Sequence, residues 1–164
     1  MNDQIETAHP PRHFVAVAAA DAVDAARAGG YVEINRGHAG PLERLRDGDV
    51  VLYYSPRHAE GGPPLQAFTA LAVVDGALHQ ADTPDRPFRR AARYRDVQPA
   101  PIRPLIDVLD FIRNKAHRGA PLRFGFVQVS NGDFARIAHA LGADDATAAI
   151  AASPGPDTPA RRNG

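Results

Sequence analysis

The sequence predicts an α+β domain, a mixed and partly closed β-barrel of about six strands with three or so short flanking helices. Three observations carry this. Strand-like apolar runs crowd the middle of the chain, turn signals such as Asp47-Gly48-Asp49 and Asp75-Gly76 separate them, and helical periodicity is confined to short segments. Regular strand–helix alternation, the mark of a doubly wound parallel sheet, is missing. A length of 164 residues supports one domain with a sizeable core.

Residues 1–12 are polar and proline-bearing without periodicity, and read as a flexible leader. His13 to Ala18 is the first strand, and Asp21 is a plausible N-cap for a helix over Ala22 to Ala28 that Gly29-Gly30 stops. The organising stretch runs from Gly30 to Pro56. It holds an apolar alternation at Tyr31, Val32 and Ile34, the loop Asn35-Arg36-Gly37-His38, a helix start at Pro41-Leu42-Glu43, a turn at Asp47-Gly48-Asp49, and the strand Val50 to Tyr54. Neighbouring strand residues point to opposite faces, so only one of Tyr53 and Tyr54 can enter a given core.

Arg57 to Pro64 reads as an exposed loop. Gln66 to Val74 is a long strand, Asp75-Gly76 a hairpin turn, and Ala77 to Gln80 its return. Phe88 to Val97 is extended, and Pro99, Pro101 and Pro104 punctuate the next stretch of chain. Leu105 to Phe111 has helical spacing, Arg113 to Pro121 is polar and basic, and Leu122 to Val129 is a strand. Asn131-Gly132-Asp133 leads into an amphipathic helix with Phe134, Ile137, Ala138 and Leu141 on one side, ended by Gly142. The domain therefore spans residues 13–142, and the Ala- and Pro-rich residues 143–164 read as a disordered tail.

Composition narrows the function classes. Nineteen basic and nineteen acidic residues cancel, so no global field draws the chain to nucleic acid or to an anionic membrane, and local patches must do that work. The cations are almost all arginine, with Lys115 the only lysine. No cysteine is present, which excludes disulfides, thiolate nucleophiles and Cys-ligated metal. No run approaches the roughly twenty apolar residues of a membrane span, and the expectation is a soluble cytoplasmic protein. Seven histidines never recur at ligand spacing, so no metal is expected. Ser55, Ser130 and Ser153 lie in no nucleophile elbow, and Gly29-Gly30 and Gly61-Gly62 form no phosphate loop. Catalysis is the weaker class, with no cofactor expected.

Six ordered pieces carry a resemblance. GGYVEINRG, Gly40 to Asp49 and VVLYYSP come first, then Leu65 to Ala70, Pro87 to Arg90, and Phe111 to Lys115 followed by Arg123 to Phe126. From His13 to Leu141 the chain resembles the EVE domain family of the PUA-like superfamily, relatives of YTH domains. The resemblance implies a barrel-like fold and a pocket related to the one in which YTH domains hold a methylated base. It also implies binding of a modified nucleobase in DNA or RNA, by domains that occur both alone and fused to nuclease partners. One position departs: where the family carries Trp-Gly, this chain has Arg118-Gly119.

The residues themselves support the same chemistry. A flipped base needs flat faces, a few hydrogen-bonding groups at its edge, and cations for the neighbouring phosphates. Tyr53, Tyr54, Phe68, Phe88 and Phe124 are candidate faces, although Phe68, Phe88 and Phe124 sit in apolar runs and read first as core. Asn35 and Ser55 suit a base edge as well as they suit turn chemistry. Arg89, Arg90, Arg93 and Arg95, joined by Arg113, Lys115 and Arg118, are candidate phosphate contacts, with Arg89 and Arg90 raised by the family match. His38 and His117 are weaker candidates. The expectation is a non-catalytic reader of a modified or flipped nucleobase built on Asn35, Tyr53, Tyr54, Ser55 and Phe88, with Arg89, Arg90, Lys115 and Arg118 beside them. The alternative is a nucleotide- or small-molecule-binding enzyme or sensor using the same pocket, and a protein partner is a third possibility.

Overall fold

The computed structural model describes residues 10–112, 122, 123 and 125–144. Its centre is a seven-stranded mixed sheet. The strands are β1 (His13–Val17), β2 (Tyr31–Val32), β3 (Val50–Arg57), β4 (Pro64–Gln80), β5 (Phe88–Tyr94), β6 (Ala100–Pro101) and β7 (Phe126–Val129). They run in the order β2-β5-β4-β3-β1-β7, with β6 added to β4. The β1–β3 pair is parallel, and every other pairing is antiparallel. Helices α1 (Ala20–Gly29), α2 (Ala39–Glu43) and α3 (Asn131–Ala140) flank the sheet. No described helix is long and apolar enough to cross a membrane.

Strand β3 explains the layering. It is covered on both faces, so its apolar residues run without a polar alternation. Val50, Leu52 and Tyr54 enter one core with Phe68, Leu71 and Ile137, whereas Val51 and Tyr53 enter a second with Phe14, Ile34 and Leu42. The two adjacent tyrosines thus serve opposite faces, as the pleat requires. Helix α3 closes the first core. Its Ser130 cap accepts from Asp133 N at 3.0 Å, and Phe134, Ile137 and Ala138 face inward. Helices α1 and α2 close the second through Val23 and Leu42, and there Phe14 and Phe126 stack at 4.8 Å. Each large apolar side chain so buried contributes about 1.5–3 kcal/mol.

Several expected boundaries move, each for a local reason. Asp75-Gly76 is no hairpin: β4 continues through it with a register shift between Val74 and Leu78. Neither residue has the positive φ of a primed turn, and a Cβ at Gly76 would lie 2.6 Å from the Ala91 Cβ. Gly76 therefore lets β5 approach closely and marks a bulge rather than a turn. Helix α1 begins at Ala20 with Ala19 as its cap residue, so Asp21 lies inside the first turn and bonds Ala22 N at 2.8 Å. Leu105 to Phe111 is not a regular helix. A 3-10 turn over Arg103–Leu105 gives way to irregular turns. The buried Asp133 carboxylate accepts the Asp110 and Phe111 amides at 2.8 and 2.9 Å, replacing helical acceptors. The last strand starts at Phe126 instead of Leu122 because Gly125 has φ +81°. Residues 1–9 of the expected leader, and the expected tail from residue 145 onward, lie outside the described residues.

Candidate functional site

Parallel pairing brings the C-terminal ends of β1 and β3 to the same edge of the sheet. There the chain leaves β1 into α1 and leaves β3 toward Arg57, and between these exits opens a cavity of about 870 Å³. Sequence dictates the hollow. The α1 face toward it is Asp21 with Ala22, Ala25 and Ala26, and the three alanines are too small to fill the space. Glycines shape the adjoining wall. Gly30 takes φ +72° and caps α1, while Gly29 must lack a Cβ, which would sit 2.5 Å from the Tyr31 ring. The double glycine thereby stops the helix and lays Tyr31 along the cavity.

On that wall the Arg89 guanidinium carbon lies 3.9 Å from the Tyr31 ring centroid, while Arg89 Nε donates to Glu33 Oε1 at 2.9 Å. Tyr31, Glu33 and Arg89 all line the cavity, and together they present a flat cationic surface held by stacking and by an ion pair. Tyr53 forms the floor beneath it. Its hydroxyl donates to Glu33 O at 2.9 Å and accepts from Glu33 N at 3.2 Å, satisfying backbone groups just beyond the end of β2. Burial drives the Tyr53 pKa well above the usual tyrosine value, so the phenol stays protonated. Burial does the same to Tyr94, whose hydroxyl donates to Tyr31 O at 2.7 Å.

The mouth is built from Asn35, Arg36 and the β3–β4 loop. Asn35, Arg36 and Gly37 have φ of 51°, 61° and 88°, three successive left-handed residues. Gly37 is required, since any Cβ there would come within 2.8 Å of the Pro87 Cα. The Asn35 side chain occupies the space where a Cβ at Gly125 would stand. Arg36 is ion-paired with Glu60 of the β3–β4 loop, and both line the cavity. Asn35 and Arg36 also border a shallower hollow of about 550 Å³ that continues past His38 to Pro41.

Among the described residues of the expected site, the structure brings together Asn35, Tyr53 and Arg89 at the cavity and leaves Tyr54, Ser55, Phe88 and Arg90 out of its lining. Tyr54 belongs to the packing: it is 8% exposed and meets the Phe68 ring edge-on at 5.5 Å. The expectation that it faces a ligand is corrected, because its face of β3 is covered by the first core. Ser55 is fully buried and its hydroxyl pairs with that of Thr69 at 2.8 Å, which leaves no group for a base edge. Phe88 packs against the second core and does not line the cavity. Arg90 ties β5 to the turn after α2, donating to Leu45 O and Asp47 Oδ1 at 3.0 Å each. Phe68 is a core residue, and Arg93 pairs with Asp75 in solvent. Phe124, Arg113, Lys115, His117 and Arg118 lie outside the described residues.

Sequence reading missed Tyr31, Glu33, Arg36 and Glu60. The available signal was Gly29 before Tyr31, a glycine with no need for positive φ, which implies a ring lying over it.

Comparison with known proteins bears on this arrangement. A family model for the EVE domain matches residues 12–140. The UPF0310 protein msl3206 of Mesorhizobium japonicum is 39% identical over 140 residues, which cover 80% of this chain and 92% of that protein. Among solved structures, Atu2648 from Agrobacterium tumefaciens aligns with 82% of this chain and 95% of its own at a TM-score of 0.57 and 11% identity. The YTH domain of Zygosaccharomyces rouxii MRB1, solved in complex with N6-methyladenosine RNA, aligns with 62% of this chain and 71% of its own at a TM-score of 0.45 and 19% identity. The family match covers the whole described sheet and all three helices, and with the close similarity in sequence it establishes that this chain belongs to the EVE domain family.

Proposed function

We propose that this protein is a nucleic-acid-binding module that takes a modified or flipped-out nucleobase into the cavity between α1 and the ends of β1 and β3. One observation carries the reading: the Arg89 guanidinium stacked on Tyr31 at 3.9 Å, on the wall of a cavity of about 870 Å³. That volume suits a small-molecule site, for which about 300–1,000 Å³ is typical, and a planar guanidinium is a good stacking partner for a heterocycle. Arg89, rather than either tyrosine of β3, supplies the flat face. Glu33 and Asn35 stand beside it as candidate acceptors and donors for the base edge, and Tyr53 holds Glu33 in place through its backbone. Family membership supports the same reading, since EVE domains are expected to read modified bases.

Binding titrations on oligonucleotides with and without a modified base, at two salt concentrations, test it. Stacking of one base contributes about 1–3 kcal/mol, so Arg89→Ala weakens binding by roughly ten- to a hundredfold. Equal affinity of wild type and Arg89→Ala for every oligonucleotide would overturn the assignment of the cavity.

A further inference from the structure

We infer that Arg36 is the phosphate clamp of this site, that Glu60 holds its place as a counter-ion until a phosphodiester displaces it, and that the nucleotide next to the captured base lies in the hollow beyond. This rests on the reading of the large cavity as a base site and extends it to a strand rather than a free base.

The backbone gives the first reason. Arg36 is a non-glycine residue at φ 61°, following Asn35 at φ 51° and preceding Gly37 at φ 88°. Such residues are strained, and strain of this kind persists where the surroundings over-determine it. Here Gly37 N bonds Ile34 O at 3.1 Å and Gly37 abuts Pro87, so the turn cannot relax. Its effect is to hold the Arg36 side chain out at the rim.

The ion pair does not explain that arrangement. Arg36 and Glu60 side chains are 79% and 74% exposed, and a pair so open to water contributes little to folding. Such a pair exchanges readily. A phosphodiester held at the ridge by its neighbouring base offers two acceptor oxygens at a fixed position, and it replaces an exposed carboxylate at small cost.

Position supplies the second reason. Arg36 and Asn35 form the ridge shared by the cavity of about 870 Å³ and the open hollow of about 550 Å³. A base in the first and its neighbour in the second are joined by a phosphodiester, which must cross that ridge. Of the other arginines that line the cavity, Arg57 donates through Nη1 to Gly62 O at 2.7 Å, Arg89 is paired with Glu33, and neither these nor Arg123 borders the hollow. The hollow is bordered by His38 and Pro41, a polar aromatic ring and an apolar saturated one, and is too open to enclose a ligand on its own.

The experiment compares wild type, Arg36→Gly, Glu60→Gln and the double variant, using short single-stranded DNA and RNA with the preferred base and the corresponding free nucleoside. Glycine suits the left-handed position, so Arg36→Gly keeps the turn and its melting temperature reports that directly. Arg36→Gly is expected to weaken oligonucleotide binding roughly tenfold and nucleoside binding by clearly less, because only the oligonucleotide carries the bridging phosphodiester. It should also reduce the slope of log K against log salt by about 0.7. Glu60→Gln is expected to tighten oligonucleotide binding roughly two- to fivefold, and the gain should vanish in the double variant. Wild-type binding with no change in affinity or slope for Arg36→Gly overturns the clamp and leaves the base site standing. Failure of the wild type to bind either oligonucleotide or nucleoside overturns both readings. Response of DNA alone, or of RNA alone, supports the clamp and identifies which strand crosses the ridge.

Discussion

Replacing Tyr53 by Phe tests the floor of the cavity. The ring is 1% exposed and stays packed, so the substitution removes one oxygen and nothing else. That oxygen donates to Glu33 O at 2.9 Å and accepts from Glu33 N at 3.2 Å. Each bond is worth about 0.5–1.5 kcal/mol net, so the loss is about 1–3 kcal/mol and the melting temperature falls by roughly 3–8 °C. Urea unfolding followed by far-UV circular dichroism measures it, since the chain has no tryptophan to report by fluorescence. Alkaline pH supplies an independent readout. Burial raises the Tyr53 pKa in the folded state, so its stabilising contribution is intact below the free tyrosine value near 10. As pH rises past that value the unfolded chain releases the proton first, and stability declines. The variant should show a shallower alkaline decline than wild type. A loss under about 0.5 kcal/mol together with an unchanged alkaline slope would refute the claim that this phenol secures Glu33.

Other perturbations read other parts of the molecule. His13 is 3% exposed, stacks on Phe134 at 4.1 Å and leaves Nε2 without a partner, and burial lowers its pKa to about 4 against the opposing pull of Asp49. A base depressed on folding stabilises fully above about pH 6.5 and loses that contribution as pH falls toward 4. His13→Phe should therefore lose on the order of 2–3 kcal/mol less than wild type between pH 7 and pH 4, measured by urea unfolding at each pH. Gly37→Ala forces a side chain onto Pro87 at φ 88° and should destabilise by about 2 kcal/mol or more, seen as a drop in melting temperature. Ser130→Ala removes the α3 cap to Asp133 N and should cost about 1 kcal/mol by the same assay, without changing ligand affinity.

Most of the architecture was legible because it depends on local chemistry. The strand at Val50 to Tyr54, the left-handed stop at Gly30, the turn at Asp47-Gly48 and the amphipathic face of α3 all come from period and turn residues. The misleading stretches are those whose chemistry is completed from afar. Asp75-Gly76 has hairpin composition, yet its glycine serves the approach of Ala91 on the neighbouring strand. Leu105 to Phe111 has helical spacing, yet a carboxylate from α3 captures its amides. The site shows the same division. Tyr53 and Tyr54 stood out as aromatic, but β3 is covered on both faces, and only Tyr53, bonded to the Glu33 backbone, borders the cavity. Tyr31 reads as an ordinary strand residue until Arg89, far along the chain, lies over it.

The most direct test is an equilibrium titration of wild type and Arg89→Ala with one oligonucleotide carrying a modified base and its unmodified twin. Stacking on the Arg89–Tyr31 wall predicts tighter binding of the modified strand by wild type and a loss of roughly tenfold or more on removing the guanidinium. Identical affinities for both strands in both proteins would contradict a base-reading cavity.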